Sequence, residues 1–262
     1  MPDLCEWSGE RGRTIFLDYS YADPRANLAL EEVLLESYRK DAGGPLIVRF
    51  WENLQPVVVI GRGERAVERV KPRVLEEGNI PVLRRISGGG TVVQGPGNLN
   101  LSFFVPMDRH PGLLGIRSSY ELILGWVIKA LKACSGAELA QRGTSDLCIG
   151  SKKISGTAQA RKRYGLLHHM TLMVDFDLSL IAELLTHPDK EPDYRGGRSH
   201  EDFLTSFAKE GLSLERSALI RELGLLLGRS GELEIDEETQ RRVLERVEGK
   251  YSRDEWNLLG RL

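Results

Sequence analysis

The sequence has few cysteines, no long apolar run and no excess of charge of one sign. Among its 262 residues only Cys5, Cys134 and Cys148 are cysteines, and this sparse, odd set argues against a disulfide scaffold and predicts a reducing, cytoplasmic environment. No apolar run is long enough to cross a bilayer, and residues 1–13 lack the apolar core of a secretory signal. The formal net charge is -2, so the chain as a whole gives no electrostatic reason to bind nucleic acid or an anionic membrane. We therefore expect any anion-binding site to be local.

Common cofactor motifs are missing as well. No cysteine–histidine cluster has the spacing of zinc ligands, and the phosphate-binding pattern GxxxxGK[ST] does not occur. The run of three glycines at residues 88–90 follows no βαβ pattern. These absences argue against a structural zinc site, a P-loop and a Rossmann cofactor site.

The hydrophobic pattern predicts an α+β fold. We expect strands at 14–19, 46–51, 57–60, 91–94, 99–105, 146–149, 153–155 and 168–174, and helices at 27–40, 64–77, 119–134, 178–185, 214–228 and 237–250. Asn27 is the predicted cap of the first helix, and residues 46–51 and 57–60 are predicted to form a hairpin. Since strands and helices do not alternate regularly, a doubly wound sheet is disfavoured.

Residues 84–100, RRISGGGTVVQGPGNLN, carry the strongest functional signal. Consecutive glycines lose packing and conformational entropy, but their bare N–H groups form a concavity suited to anionic oxygens. Arg85 directly precedes the motif and offers a planar fork that matches phosphate or carboxylate. The alternative is a flexible glycine hairpin with solvated arginines.

Two further segments contain candidate polar groups. Within residues 146–161, Lys153 and Ser155 are expected to share one strand face if Ile154 points to the core, and Lys153 would then stabilise charge on a phosphoryl or carboxyl oxygen. The alternative is an edge strand whose lysines are solvated. His168 and His169 are expected on opposite faces of a strand, one in the core and the other facing a pocket; together they do not make a metal site.

Taken in order, these segments resemble the lipoate-protein ligase A family. The family has RRxSGGGxVxHDxGN, then Lys-Ile-Ser-Gly, then His-His-Gly-Thr-Leu, and this chain has RRISGGGTV at 84–92, KKISG at 152–156 and HHMTL at 168–172. Residues 27–32, 49–51, 58–62 and 250–257 also resemble family segments. The resemblance extends over about residues 14–258, nearly the whole chain.

The resemblance implies a biotin/lipoyl ligase-like catalytic domain with a mixed β-sheet flanked by helices. We expect residues 1–186 to form its core and residues 187–262 to complete the same domain as a loop and helices, with no separate accessory domain. It further implies that MgATP activates lipoate or octanoate as an acyl-adenylate, and that a lysine of a lipoyl-domain acceptor protein then takes the acyl group. A separate accessory subunit is a candidate partner, because some short ligases obtain that domain from a second polypeptide.

The resemblance also assigns site residues. Lys153 is the expected catalytic residue, in contact with the acyl carbonyl and the α-phosphate, and Asp146 lies near the adenine or its Mg²⁺. The residues expected to bind substrate or ATP are Arg85, Ser87, Gly88, Gly89, Gly90, Val92, Gln94, Gly97, Asn98, Asp146, Ser155, Gly156, His169 and Thr171. We expect the segment 187–210 to close over the adenylate, with Gly196 and Gly197 as a hinge that brings Arg198 to the phosphate.

The chain departs from the family pattern at three positions, and other functions compete. Gln94 and Gly95 replace the usual His-Asp, and Met170 replaces the glycine after the two histidines. An octanoyltransferase that uses acyl carrier protein needs a reactive cysteine, for which Cys148 is the only nearby candidate. A biotin ligase is disfavoured because GRGRxGR is absent, and a non-catalytic lipoyl-domain-binding protein has no need of Lys153, Arg85 and the glycines.

Overall fold

A computed structural model describes residues 13–40, 44–188 and 191–261. Its strands are β1 (Thr14–Asp18), β2 (Leu46–Trp51), β3 (Val57–Ile60), β4 (Val82–Arg84), β5 (Val92–Gln94), β6 (Asn98–Pro106), β7 (Leu139–Arg142), β8 (Asp146–Ile149), β9 (Lys152–Arg161), β10 (Gly165–Met173) and β11 (Arg229–Glu232). Its α-helices are α1 (Pro24–Glu36), α2 (Ala66–Arg69), α3 (Pro72–Glu77), α4 (Ile116–Ser135), α5 (Ser179–Leu184), α6 (His200–Phe203), α7 (Arg216–Leu227), α8 (Glu237–Arg246) and α9 (Asp254–Asn257). Short 3-10 turns lie at Pro111–Leu113, Asp193–Arg195 and Ala208–Glu210, and a π-helical turn lies at Val247–Tyr251.

Two mixed sheets organise the described part of the chain. The larger sheet has eight strands in the order β11-β1-β2-β6-β10-β9-β8-β7, and the smaller has three in the order β4-β3-β5. β1 runs parallel to both of its neighbours, whereas the remaining pairs of the larger sheet are antiparallel. Helices α4 and α7 cover one face of this sheet and α1 covers the other. The predicted α+β class with a mixed sheet and flanking helices is therefore confirmed.

The two faces of the larger sheet have different roles. On one face, Phe103 of β6 and Trp126 of α4 pack in a largely apolar core, with ring centroids 6.2 Å apart. On the other face, Phe104 and Leu167 pack against α1. Because side chains alternate along a strand, His169 and Thr171 of β10 lie on the same face as Leu167. This second face, between α1 and the smaller sheet, carries the polar groups described below.

The predicted hairpin of residues 46–51 and 57–60 is wrong. β2 pairs with β1 and β6 in the larger sheet, whereas β3 pairs with β4 and β5 in the smaller one. Both strands are fully buried. Two apolar runs separated by a short polar link are equally compatible with a hairpin and with a crossing between two sheets, so the pattern alone does not distinguish them.

The first helix begins three residues earlier than predicted. Pro24 occupies the first turn and the side chain of Asp23 caps it by accepting a hydrogen bond from the Arg25 N–H. Asn27, the predicted cap, lies inside the helix and is fully buried. Its side-chain oxygen accepts from the Arg49 guanidinium at 2.6 Å. The buried Asn27–Arg49 contact thus fixes α1 on β2.

Residues 64–77 form two short helices where one was predicted. α2 ends at Arg69 and α3 starts at Pro72, because proline lacks the N–H that would continue the first helix and is well suited to the first turn of the second. Both helices pack beside the smaller sheet through Ala66 and Val74.

The C-terminal elements pack on the N-terminal half of the chain. β11 pairs with β1, and α8 supplies Val243 to the core beneath α1. The Arg84 guanidinium donates to the carbonyl oxygens of Trp256 at 2.8 Å and of Leu258 at 3.2 Å. On these contacts we propose that residues 187–262 complete the domain whose core lies in residues 1–186. Within the described ranges, no helix is both long and apolar enough to cross a membrane.

Candidate active site

A cavity of about 320 Å³ opens where residues 88–97, here called the glycine segment, face the ends of β8, β9 and β10. Its walls include Gly90, Asp146, Lys153 and Thr171, and residues within 186–188 and 191–204 form the opposite side. A smaller cavity of about 160 Å³ shares those four residues and continues toward Trp51. The two cavities therefore meet at Lys153.

Most of the residues proposed from the sequence line these two cavities. Those that do are Arg85, Gly89, Gly90, Val92, Gln94, Asn98, Asp146, Lys153, Gly156, His169 and Thr171. Ser87, Gly88, Gly97 and Ser155 do not. The residues that line the cavities are the candidate ligand contacts. The structural roles of the other four, which do not line them, are described below.

Arg85 holds the shape of the glycine segment. Its guanidinium donates to the carbonyl oxygens of Gly88 and Gly90, each at 2.7 Å, and to that of Val59 at 3.1 Å. Its Nε donates to the Ser87 hydroxyl at 2.9 Å. Burial lowers the pKa of Arg85 to about 10, which leaves it charged at neutral pH. Four of the five N–H bonds of Arg85 thus donate to protein oxygens. Arg85 therefore holds the glycine segment in position, although the sequence had suggested that it binds an anion together with that segment.

Ser87 belongs to a buried hydrogen-bond chain behind the glycine segment. Its hydroxyl lies 2.6 Å from Nε2 of His169, whose Nδ1 lies 2.9 Å from the Glu31 carboxylate. Ser102 donates to the same carboxylate at 2.5 Å. Burial favours the neutral form of Glu31, but His169, Ser102 and Arg49 outweigh it and lower the pKa of this carboxyl. The chain ties the glycine segment to β10 and to α1, so Ser87 acts on the site from behind it.

The two histidines take opposite faces, as predicted. His169 lines the smaller cavity, while His168 is fully buried in the core beside Tyr120 and Phe103. Nδ1 of His168 lies 3.0 Å from the Gln159 amide nitrogen. Burial, reinforced by His169, lowers the pKa of His168 to about 3. His168 is therefore neutral at physiological pH.

Substituting His168 with glutamine is expected to make the protein less sensitive to acid. Below pH 6.5 the unfolded chain protonates this imidazole but the folded chain does not until about pH 3, so stability falls as pH falls through that window. The slope from this residue approaches about 1.4 kcal/mol per pH unit. Urea unfolding of the wild type and His168→Gln between those pH values measures it, with the half-exposed His187→Gln as the control. Identical slopes for wild type and His168→Gln would contradict the expectation.

Lys153 and Asp146 form an ion pair at the point where the cavities meet. Nζ of Lys153 lies 2.8 Å from the Asp146 carboxylate, and the lysine side chain retains 24% exposure toward the cavity. The Tyr194 hydroxyl donates to the other Asp146 oxygen at 2.6 Å. Burial, followed by the nearby Asp146 charge, raises the pKa of Tyr194, so the phenol stays protonated and keeps donating. A Cβ on Gly156 would lie 3.0 Å from Nζ, so glycine at this position leaves room for the ammonium group.

Lys153 and Ser155 do not share a face, contrary to the prediction. β8 pairs Cys148 with Lys153 and Leu147 with Ser155, so Ile154 is the extra residue of a β-bulge. The bulge shifts the alternation, and Ser155 pairs with Leu172 on the apolar core side. Its hydroxyl is fully buried and lacks a hydrogen-bond partner. The next residue, Gly156, lies opposite Thr171 and faces the cavity.

Gly97 serves a backbone turn instead of the cavity wall. It has a φ of +88°, and its carbonyl accepts from the N–H groups of Val174 and Asp175. A Cβ there would lie 2.4 Å from the Asp175 carbonyl oxygen. Gly88, at the other end of the segment, uses its carbonyl to accept from Arg85. Both glycines therefore shape the segment that presents Gly89 and Gly90.

Gln94, where the family pattern has histidine, joins a polar network on the cavity wall. Its amide nitrogen donates to Asn100 at 2.8 Å and to Thr171 at 3.0 Å, and its oxygen accepts from Asn53 at 3.0 Å. The side-chain oxygen of Asn98 accepts from the Gly95 N–H at 3.0 Å. Gln94 thereby fixes β5 against β6 and β10.

Arg198, which was expected to reach the phosphate through a hinge movement, lines neither cavity in this structure, and the movement stays a prediction. Its guanidinium donates to the carbonyl oxygens of Tyr194 at 2.9 Å and of Ser151 at 3.0 Å, outside the cavity walls. Arg195, three residues earlier, lines the cavity instead. Sequence reasoning missed the roles of Arg195, Tyr194 and Glu31. Arg195 and Tyr194 lie outside the recognised motifs, whereas Glu31 lies in the family-like segment 27–32 but was given no role there; tertiary packing brings all three toward the site. The one available signal was Glu31 on the apolar face of α1, one turn after Asn27.

Comparison with known proteins identifies the family of this chain. The family model of the lipoyl protein ligase A/B catalytic domain matches residues 23–221. The chain is 29% identical over 251 residues to the lipoate-protein ligase LplJ of Bacillus subtilis, which covers 93% of this chain and 73% of that protein. Several other curated ligases are matched over only 46 to 58% of their length.

Solved structures give the same result. A bipartite lipoate protein ligase, described with its E2 lipoyl domain from Thermoplasma acidophilum, superposes with a TM-score of 0.80 at 26% identity, over 97% of this chain and 98% of that one. A lipoate-protein ligase A bound with ATP superposes with a TM-score of 0.74 at 27% identity, over 96% of this chain and all of that one. The fold and its cavity thus define an α+β ligase-type catalytic domain. The chain belongs to the lipoyl protein ligase A/B catalytic domain family, and the resemblance noted from its motifs is confirmed.

Proposed function

We propose that the protein is a lipoate-protein ligase that activates lipoate or octanoate with ATP and transfers the acyl group to a lysine of a lipoyl domain. The observation that carries the proposal is the position of Lys153, whose ammonium group faces the cavity beside Gly89 and Gly90. Family membership and the similarity to an ATP-bound lipoate-protein ligase A support it.

The proposed chemistry has two steps. A carboxylate oxygen of the fatty acid attacks the α-phosphorus of ATP, the bond to the β-phosphate breaks, and pyrophosphate leaves. The acceptor amine then attacks the acyl carbon, an amide forms, and AMP departs with the carboxylate oxygen. Negative charge develops on the phosphoryl and acyl oxygens, and preorganised donors lower the barrier where charge develops. Lys153 and the amides of Gly89 and Gly90 are those donors.

The smaller cavity fits the acyl tail. Trp51, Val92 and Ala158 supply apolar surface along it, and it leads directly to Lys153. The tails of lipoate and octanoate both need only an apolar channel, so both acids are candidate substrates. The larger cavity, which carries most of the charged side chains, is then the place for the nucleotide.

Mg²⁺ enters this proposal with ATP. No group of three His, Cys, Asp or Glu side chains in the described ranges is arranged to hold a metal ion by itself. Protein sites for Mg²⁺ on nucleotides use one or two carboxylates besides phosphates and water. Asp146, which lines both cavities, offers carboxylate oxygens of that kind and would help to hold the ion that neutralises the phosphates.

The proposed acceptor is a lipoyl domain of a separate protein, and a second subunit is a candidate partner. Both come from the Thermoplasma acidophilum system, a bipartite ligase with its E2 lipoyl domain. The test is the mass of an apo lipoyl domain after incubation with the chain, lipoate and MgATP. A gain of one lipoyl group only when ATP is present supports the proposal. Release of pyrophosphate without modification of the acceptor would point to a missing second subunit. The absence of both pyrophosphate and modified acceptor would count against a ligase.

Cys148→Ser is expected to retain ATP-dependent activity, which distinguishes the ligase from an octanoyltransferase. Cys148 is fully buried, its Sγ lies 3.6 Å from the Tyr194 hydroxyl, and burial raises the pKa of its thiol. A thioester-forming cysteine needs an accessible thiolate. Acceptor modification from octanoyl carrier protein without ATP, abolished in Cys148→Ser, would instead establish the transferase.

A non-catalytic lipoyl-domain-binding protein makes a different prediction for ligands. A protein that binds nucleotide and fatty acid only in its folded state gains thermal stability from both. The ligase proposal therefore requires a higher midpoint of thermal unfolding with MgATP and octanoate than with either alone. A scaffold protein gains nothing from this pair of ligands.

A further inference from the structure

Glu31 is a buried carboxylate that accepts hydrogen bonds from two directions. It lies on α1, and only 1% of its surface is exposed. The Ser102 hydroxyl donates to one of its oxygens at 2.5 Å, and Nδ1 of His169 lies 2.9 Å from the other. Because the pKa of Glu31 is lowered, the carboxylate is ionised at neutral pH and both of its oxygens can only accept. Both neighbours must therefore supply the proton.

One chain of donors leads from Glu31 to the far end of the smaller cavity. The indole N–H of Trp51 donates to the Ser102 hydroxyl at 2.9 Å, and that hydroxyl donates in turn to Glu31. An indole N–H can only donate, so the direction of this chain is fixed. Trp51 begins a row of paired residues that crosses five strands of the larger sheet and ends at Asp146, the partner of Lys153. This chain therefore fixes the aromatic end of the cavity, opposite Lys153.

The second chain leads from Glu31 to the glycine segment. Nδ1 of His169 carries the proton that Glu31 accepts, and in the neutral imidazole this leaves Nε2 to accept from a neighbour. That neighbour is the Ser87 hydroxyl, 2.6 Å away, which itself accepts from Nε of Arg85 at 2.9 Å. Since Arg85 also holds the carbonyl oxygens of the glycine segment, this chain ends on the loop beside Lys153.

Both chains include side chains of the cavity wall, which sets Glu31 apart from another buried carboxylate of the same helix. Trp51 and His169 line the smaller cavity. Glu32, the next residue of α1, accepts from the Tyr251 hydroxyl at 2.9 Å, and neither of these two residues lines a cavity. Glu32 thus serves the packing of the C-terminal elements, whereas the contacts of Glu31 lead to the site.

We infer that Glu31 is a positioning residue of the active site, which orients Trp51 and His169 around the acyl tail. Through His169 and Ser87 it also steadies the glycine segment. Glu31 touches no ligand in this arrangement and acts only through its donors. Side chains that are held in their bound orientation lose little freedom when a ligand binds, so the carboxylate raises the affinity for the acid. This inference rests on the proposed function, because it takes the smaller cavity to hold the acyl tail.

Glu31→Gln tests the inference, because an amide presents one acceptor and one donor where the carboxylate presents two acceptors. One of the two chains then loses its acceptor. Nitrogen NMR on the full chain should show either the His169 proton on Nε2 or a shifted signal of the Trp51 indole N–H. Calorimetry should show octanoate binding weakened about ten- to hundredfold, the range for hydrogen bonds to charged groups.

Two further variants sharpen this test. Glu32→Gln makes the same change one residue along α1 and should leave octanoate binding and both NMR signals as in the wild type, even where it lowers the stability of the fold. Ser102→Ala keeps the Glu31 carboxylate but removes the acceptor of the Trp51 indole N–H. Octanoate binding should then weaken about two- to tenfold, the range for a hydrogen bond between neutral groups.

The outcomes separate this inference from the proposed function. Octanoate binding and NMR signals that are unchanged in Glu31→Gln, or equal losses in Glu31→Gln and Glu32→Gln, would overturn the positioning role. If Glu31→Gln does not fold, Ser102→Ala decides, and unchanged octanoate binding in that variant overturns the role. A wild-type chain that binds octanoate in a Glu31-dependent manner but never modifies a lipoyl domain would contradict the proposed function alone. A wild-type chain that does not bind octanoate would overturn both.

Discussion

Lys153→Ala is expected to lower the rate of pyrophosphate release from MgATP and lipoate by about 10²- to 10³-fold, the usual cost of removing one preorganised donor from a developing charge. The ammonium group is the cation at the junction of the two cavities, and its pairing with Asp146 fixes it there. The loss should fall on the rate constant of the chemical step more than on the affinity for the fatty-acid tail, since the tail contacts lie elsewhere.

Lys152→Ala is the matched control for this prediction. Lys152 is the neighbouring residue of β9, but it is exposed and lies outside both cavities. Its removal changes the net charge of the chain by the same amount as the removal of Lys153. Comparable losses in the two variants would mean that general charge, and not the position of Lys153, supports the reaction.

Gly61→Ala is expected to destabilise the protein by about 1–3 kcal/mol, the usual cost of overpacking, and to weaken MgATP binding at the same time. A Cβ at Gly61 would lie 1.9 Å from the carbonyl oxygen of Gly89, so the glycine segment would have to move. Gly89 has a φ of +84°, a conformation that few other residues adopt readily, and has little freedom to compensate. Urea unfolding and calorimetry measure the two effects.

Gly63→Ala controls for the glycine-to-alanine change itself. Gly63 lies two residues further along, in the exposed turn that follows the buried Gly61, and a Cβ there would meet nothing within 4 Å. We expect its free energy of unfolding and its MgATP affinity to match the wild type. If Gly61→Ala behaved like Gly63→Ala in both measurements, close packing of residues 61 and 89 would not be what shapes the nucleotide site.

The sequence contained enough information to locate the centre of the site. The order of the glycine segment, the Lys153 segment and the paired histidines predicted which stretches meet, and the alternation of side chains predicted that His168 and His169 would separate. These features are local, because they depend on residue types at fixed spacing. The cavity walls contain eleven of the residues chosen in this way.

The remaining features depend on contacts that no local pattern encodes. The bulge at Ile154, which turns Ser155 into the core, arises from the pairing of β9 with β8. Arg85 was assigned to a ligand because its charge suggested one, but its donors are used by carbonyl oxygens of its own loop. Tyr194 and Arg195 lie about 40 residues after the Lys153 segment along the chain, and only folding brings them to the cavity.

The most direct test of the central claim is to follow a heavy isotope of oxygen from the lipoate carboxylate. If the acyl-adenylate forms, AMP departs with one carboxylate oxygen, so after reaction with MgATP and an apo lipoyl domain the AMP should carry one labelled atom. The same reaction with Lys153→Ala should give labelled AMP at a greatly reduced rate. Label in inorganic phosphate, or modified acceptor without labelled AMP, would show that acyl activation follows another route and would contradict the account.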